Sequence, residues 1–132
     1  MADFSNNKFE ITRLTKTIIK FKVFDGIHLT LQDGEKIHQV MVELSKGDPY
    51  AVLMDASNFF SSTDQIRELL ASKEIVGLRY AAAGVVKLLS VRLMGQFFIN
   101  FNKPASPTKI FNTEEKALNW LKEQERIQFR KI

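Results

Sequence analysis

Residues 50–70 read Tyr50-Ala-Val-Leu-Met-Asp-Ala-Ser-Asn-Phe-Phe-Ser-Ser-Thr-Asp-Gln-Ile-Arg-Glu-Leu-Leu70: an apolar run, a polar turn, then a capped amphipathic segment. Ala51-Val-Leu-Met54 is too short for a helix and too uniformly apolar for a surface strand, which predicts a central strand. Ser62-Thr-Asp-Gln65 has the form of a capping box, and Ile66, Leu69 and Leu70 fall on the inner face of the helix it opens. A buried strand feeding a helix through a turn restricts the chain to a sheet covered by helices. In open α/β sheets, ligands and partners approach at the carboxyl ends of the strands. The turn from Ser57 to Asp64 is therefore the first place to look for function.

The rest of the chain extends the same pattern. Lys8 to Leu14 and Thr17 to Phe24 read as two strands, with Ile19, Phe21 and Val23 alternating with Lys20 and Lys22, as in an antiparallel hairpin at the side of a sheet. Thr30-Leu-Gln-Asp33 resembles a capping box with Asp in place of Glu. It leads into Ile37, Val40, Met41 and Leu44 at helical spacing, and Gly47 is expected as the left-handed cap. Ser72 can cap a short turn through Gly77. Tyr80 to Val86 reads as a second buried strand whose alanines and Gly84 let backbones approach. Leu88 to Phe101 has a helical period, Thr108 to Phe111 reads as an edge strand, and Thr113-Glu-Glu opens a last helix carrying Ala117, Leu118, Trp120 and Leu121. The order ββαβαβαβα predicts an α/β fold: an N-terminal hairpin, then a mixed sheet of about five strands flanked by four helices.

With 132 residues the chain is expected to form one domain, 1–132, with its core at about 8–126. It has no cysteine, which removes disulfides and thiolate chemistry and fits a reducing compartment. No export signal, lipidation pattern or membrane span is read; Val85 to Phe101 comes nearest to a span, and Lys87, Arg92, Gln96 and Asn100 interrupt it. The expected location is the cytoplasm. Residues 1–75 hold 9 Lys/Arg against 11 Asp/Glu and residues 76–132 hold 10 against 4, so the net charge of +4 belongs to the second half. Arg126, Arg130 and Lys131 cluster at the end of the last helix, where cations offset the dipole. Without a basic stripe interleaved with aromatics, a nucleic-acid partner is not expected.

The catalytic and metal signatures are not found: no Gly-x-Ser-x-Gly elbow, P-loop, Gly-x-Gly-x-x-Gly or His-Glu-x-x-His. His28 and His38 have no companion ligands at metal spacing, and no cofactor is expected. Asp55, at the end of the central strand, is expected to hydrogen-bond the backbone near Ser57 as a turn-former. The segment carries no catalytic residue that can be named, and a non-enzymatic role is expected.

The order of elements, with Pro49-Tyr50-Ala-Val-Leu-Met-Asp55, Met94-Gly-Gln-Phe-Phe-Ile-Asn-Phe-Asn-Lys-Pro104, Thr108-Lys-Ile-Phe111 and Glu114-Glu-Lys-Ala-Leu-Asn-Trp-Leu121, resembles a bacterial SpoIIAA-like, or STAS-like, family of small domains. The resemblance covers about residues 8–122. It implies a regulatory protein-binding module, because anti-anti-sigma factors of this fold bind a kinase-like partner and are switched by phosphorylation of a serine at the start of the helix after the central strand. The corresponding place here is Ser61-Ser62-Thr63. The family's Asp-Ser-Ser-Gly run is not reproduced, since Phe60-Ser-Ser-Thr-Asp64 lacks the preceding Asp and the Gly. A phosphate on Ser62 or Thr63 would add about −1.5 to −2 charges at a helix N-terminus. The plainer role for either hydroxyl is a helix cap, contributing about 1 kcal/mol. Ser57, Asn58, Ser61, Ser62 and Thr63 are the candidate partner surface or phosphoacceptors.

The apolar residues from Leu88 to Phe101 wrap more of the helix than the stripe of about 100° that one sheet face needs. Leu93, Met94, Phe97, Phe98 and Phe101 are accordingly candidates for a self-association surface or for an apolar pocket, with core packing the plainer role for Phe97, Phe98 and Phe101. The last alternative follows from the kinship of STAS-like domains with lipid-carrying SEC14-like domains. The expected partners are another protein and further copies of this chain, with an apolar small molecule or lipid as the alternative.

Overall fold

Strand and helix periods place apolar side chains on both faces of one sheet, and the computed structural model, which describes residues 2–130 apart from the side chain of Val76, shows how each face is covered. The chain runs β1 (Phe4–Ser5), β2 (Phe9–Arg13), β3 (Ile18–Val23), β4 (Ile27–Leu29), α1 (Leu31–Ser45), β5 (Tyr50–Ala56), β6 (Phe60–Ser62), α2 (Asp64–Ala71) and α3 (Lys73–Val76). It continues with β7 (Arg79–Val86), α4 (Leu89–Phe97), a π-helical turn (Phe98–Asn102), β8 (Thr108–Phe111) and α5 (Glu114–Phe129). Six strands form one sheet in the order β1-β2-β3-β5-β7-β8, antiparallel across β1-β2-β3 and parallel from β3 to β8. This is the expected α/β architecture, with β5 central and β8 at an edge. It differs from the expected count by the added edge strand β1 and by a separate two-stranded ribbon, β4-β6.

On one face, Phe9, Ile19, Phe21 and Val52 pack beneath Ile37, Val40 and Met41 of α1, Ile66 of α2 and Val91 of α4. On the other face, α5 lays Ala117 and Leu121 over Ile18, Leu53, Ala81 and Ala83. Burying one such branched side chain stabilises the fold by about 1.5–3 kcal/mol. Lys20, on the α5 face of β3, pairs with Glu114 at 2.8 Å, so the wet side of the hairpin is tied to the last helix.

Local signals act largely as their chemistry requires. The Asp33 carboxylate accepts from Thr30 N at 2.8 Å, Thr30 Oγ1 at 3.1 Å and Lys8 Nζ at 2.9 Å, fixing the start of α1. Burial acts to raise its pKa, but these donors outweigh burial and hold it below the usual carboxylate value. At the other end of α1 the left-handed residue is already Lys46 (φ 54°), followed by Gly47 (φ 82°), one position earlier than the glycine alone suggests. Ser72 caps α3 by accepting from Ile75 N at 3.4 Å.

Gly34 sits where α1 crosses α2. A Cβ there would lie 2.7 Å from Ile66 Cγ1 and within 3.3 Å of Leu69 Cδ2. Alanine in a helix ordinarily adds up to about 1 kcal/mol over glycine. Here Ile66 is fully enclosed and overpacking costs about 1–3 kcal/mol. Gly34→Ala is therefore expected to lower stability by about 1 kcal/mol in urea unfolding, the opposite of its helix propensity.

Candidate functional site

At the carboxyl end of β5 the chain closes on itself before α2. Asp55 Oδ1 accepts from Ser57 N at 3.1 Å and from Ser57 Oγ at 2.6 Å, the turn-forming role its position suggests. Asn58 Nδ2 donates to Val23 O at 3.3 Å, while the exposed Phe59 is held through its N–H to Asp25 Oδ1 (3.2 Å) and its carbonyl to Gly26 N (2.8 Å). Phe60 is buried, and Phe60-Ser-Ser62 forms β6 instead of continuing the polar turn. It pairs with β4 in the register Ile27↔Phe60, His28↔Ser61, Leu29↔Ser62.

That ribbon separates the three hydroxyls. Ser61 Oγ lies 2.7 Å from His28 Nδ1. Ser62 Oγ accepts from Arg67 Nη1 at 2.7 Å, the same nitrogen donates to Ser62 O at 2.9 Å, and Met94 Sδ lies 3.7 Å from that hydroxyl. Thr63, not Ser62, is the N-cap of α2, its Oγ1 accepting from Ile66 N at 3.3 Å. The capping box expected at Ser62-Thr-Asp-Gln65 thus begins one residue too early, because Ser62 still belongs to the ribbon. Among the described residues no carboxylate hydrogen-bonds His28, so nothing holds the imaginary third place of a Ser-His-acid arrangement, and no three His, Asp or Glu side chains are grouped to hold a metal ion.

The helix from Leu88 to Phe101 divides its apolar residues between two directions. Val91 is buried and Met94 and Phe98 point inward, whereas Leu89, Leu93, Phe97 and Phe101 remain 70%, 60%, 48% and 71% exposed. A core role for Phe97 and Phe101 is thereby corrected: sheet face and helix meet along Val91 and Met94, and the i+4 stripe beginning at Leu89 turns away. The rings of Phe97 and Phe101 stack at 4.8 Å. Arg67, also held by Asp64, places its guanidinium 5.9 Å from the Phe97 ring centroid. The turn after β5 and the ridge on α4 therefore form one continuous surface, joined through Arg67, a residue the sequence reading passed over although it stands three residues after Asp64.

Beneath α2 and α4 lies a cavity of about 180 Å³, almost wholly apolar, whose lining includes Met94 and Phe98 of the candidate set. Its floor comes from Ala82 and Gly84 of β7. A Cβ at Gly84 would meet nothing within 4 Å, so this glycine leaves space where close backbone approach was expected. The alanines do allow close packing on the opposite face, where Ala81 and Ala83 are covered by α5. Gly95, in turn, is where α4 comes close to β8, since a Cβ there would lie 2.6 Å from Ile110 Cδ1.

Arg79, the first residue of β7, also lines the cavity and donates from Nη2 to Leu70 O at 2.7 Å. Burial disfavours its charged form, and the same environment pushes the Tyr50 phenol up and, with the Arg79 charge, the His38 imidazole down. A histidine whose folded pKa is below its ordinary value of about 6.5 binds fewer protons folded than unfolded. Stability is then unaffected by His38 above that value and falls as pH drops below it. Melting curves between pH 7.5 and 5 are expected to show this loss in the wild type and a smaller one in His38→Gln.

Together, the antiparallel hairpin, parallel centre and flanking helices form an α/β domain with a SpoIIAA-like fold. A crystal structure of an uncharacterized protein from the DUF3478 family with a SpoIIAA-like fold, from Shewanella loihica PV-4, matches with a TM-score of 0.62 at 18% identity, covering 89% of this chain and 98% of that one. A family model described as a domain of unknown function (DUF7793) matches residues 12–125, and the chain belongs to that family. No curated protein matches the sequence. Among the described residues no helix is long and apolar enough to cross a membrane.

Proposed function

We propose that residues 1–132 act as one non-enzymatic regulatory module, with a core at about 8–126, that binds another protein, in the first instance a further copy of itself. The observation that carries this reading is the exposed ridge Leu89, Leu93, Phe97 and Phe101, since contiguous exposed apolar side chains mark interaction sites on water-facing surfaces. The ridge adjoins Ser62 through Arg67, so a partner seated on Phe97 also meets the turn after β5. A phosphate on Ser62 would exchange the hydroxyl contact to Arg67 for a charge-assisted phosphate–guanidinium pair and add negative charge beside the ridge. Thr63 caps α2 and Ser61 faces His28, whereas Ser62 meets Arg67 beside the ridge and is the hydroxyl best placed for such control. Native mass spectrometry over a range of concentrations tests the reading: a dimer or larger assembly is the expected result, and a monomer at every concentration overturns self-association.

A second reading is favoured by the cavity itself. Its lining includes Met94 and Phe98, so a domain holding an apolar small molecule beneath α4 is the alternative, and a discrete adduct in the same spectra would support it.

A further inference from the structure

The cavity floor is open because β7 presents Ala82 and Gly84 where neighbouring strands present larger side chains such as Val52 and Phe21. Three methionines, Met41, Met54 and Met94, border the space, and unbranched thioether chains adapt to occupants of varied shape. The charged residues of the lining are Arg67, Arg79 and Lys109, with no acid among them. Arg67 is matched by Asp64, and Lys109 reaches over the Phe111 ring at 5.6 Å. Arg79 differs from both. It forms no ion pair among the described residues, and its buried Nε finds no acceptor there, although Nη2 is satisfied by Leu70 O. A guanidinium withdrawn from water beside an apolar space without a counter-charge is matched by an anion that carries an apolar body.

We propose that the cavity takes a small amphiphile with a single carboxylate head, the head seated against Arg79 and a flexible apolar body lying over Ala82 and Gly84. An apolar cavity of 150 Å³ holds a benzene-sized molecule, so the space here suits a body of about six to eight carbons. The inference rests on the second reading above, that the cavity is a ligand site, and adds to it the charge of the ligand and the residue that reads it.

The test is a titration of the full-length protein with sodium octanoate and, separately, octan-1-ol, followed by NMR of the methionine methyl groups. Octanoate is expected to shift the Met41, Met54 and Met94 methyls saturably and to bind about tenfold or more tightly than octanol, the size of one charge-assisted contact. Arg79→Met is expected to erase that difference while octanol binding persists. Should Arg79→Met not fold, Arg79→Lys, which keeps the charge and loses the planar fork, is expected to bind octanoate more weakly than wild type and octanol unchanged. Gly84→Val, which fills the floor, is expected to abolish both titrations with the fold intact. Equal affinity for the two probes in the wild type, or an octanoate preference left undiminished by Arg79→Met (by Arg79→Lys where the Met variant does not fold), overturns the carboxylate assignment and leaves the cavity reading standing. Methionine methyls that respond to neither probe overturn both.

Discussion

Leu93→Glu combined with Phe101→Lys is expected to dissociate the protein into monomers while lowering its melting temperature by no more than about 4 °C, because exposed positions change stability by about 0.5 kcal/mol or less each. The two side chains are 60% and 71% exposed, so neither contributes to the fold's own core, and the paired charges leave the net charge at +4. In an assembly seated on the ridge each would bury an apolar side chain contributing about 1.5–3 kcal/mol, and replacing both weakens association by about 100-fold or more. Sedimentation velocity at matched concentrations reads the change directly. Phe98→Asn, one residue from Phe97, provides the contrast. It removes a ring from the cavity wall and directs an uncharged amide toward the apolar space, where burial without a partner costs about 2 kcal/mol or more, so it is expected to lower the melting temperature rather than separate subunits. A wild type and double variant that sediment identically as assemblies would show that the ridge is not the contact surface.

The difference between Phe97 and Phe98 was only half visible in the sequence. An excess of apolar residues over Leu88 to Phe101 was legible because the stripe exceeded what one sheet face can cover. Which residues made up the excess depended on the azimuth of α4, and that is set by Gly95 against Ile110, a tertiary contact with no local signature. The same holds for the turn after β5. Asp55 announced its turn through chemistry that acts over two residues, but β6 is three residues long and exists only because β4, more than thirty residues earlier, lies beside it. Once Ser62 is claimed by that ribbon, the cap passes to Thr63. By contrast, α1 was readable up to its last cap, since its apolar period and its Asp33 act within a turn or two of the chain, and only the left-handed position fell one residue before the glycine, on Lys46. The cavity was the least legible feature. A glycine in a strand ordinarily signals close approach, and only the helices' placement shows that Gly84 borders space.

The face covered by α5 has the opposite property, and it is where the largest loss of stability is expected. Leu121 is 0% exposed and sits over a sheet surface built from Ala81 and Ala83, with Leu53 beside them. Those alanines have no side-chain length with which to fill a gap, and α5 is held in place by Lys20–Glu114 near its start and by the edge-on contact of Phe129 with Tyr80 at its end. A site that cannot collapse retains the whole cavity left by a truncation, which puts Leu121→Ala at the upper end of the range for such changes, about 4–5 kcal/mol. That is a large share of the 5–15 kcal/mol typical of a domain's total, and for a chain of this size it corresponds to a fall of about 15 °C in melting temperature. Differential scanning calorimetry of Leu121→Ala beside Leu121→Met separates volume from position, since methionine nearly conserves the volume and is expected to cost less than about 1.5 kcal/mol. A loss below about 2 kcal/mol for the alanine variant would mean that α5 settles onto the alanines of β7 when its anchor is shortened, and that this face of the sheet is deformable in a way its close packing does not suggest.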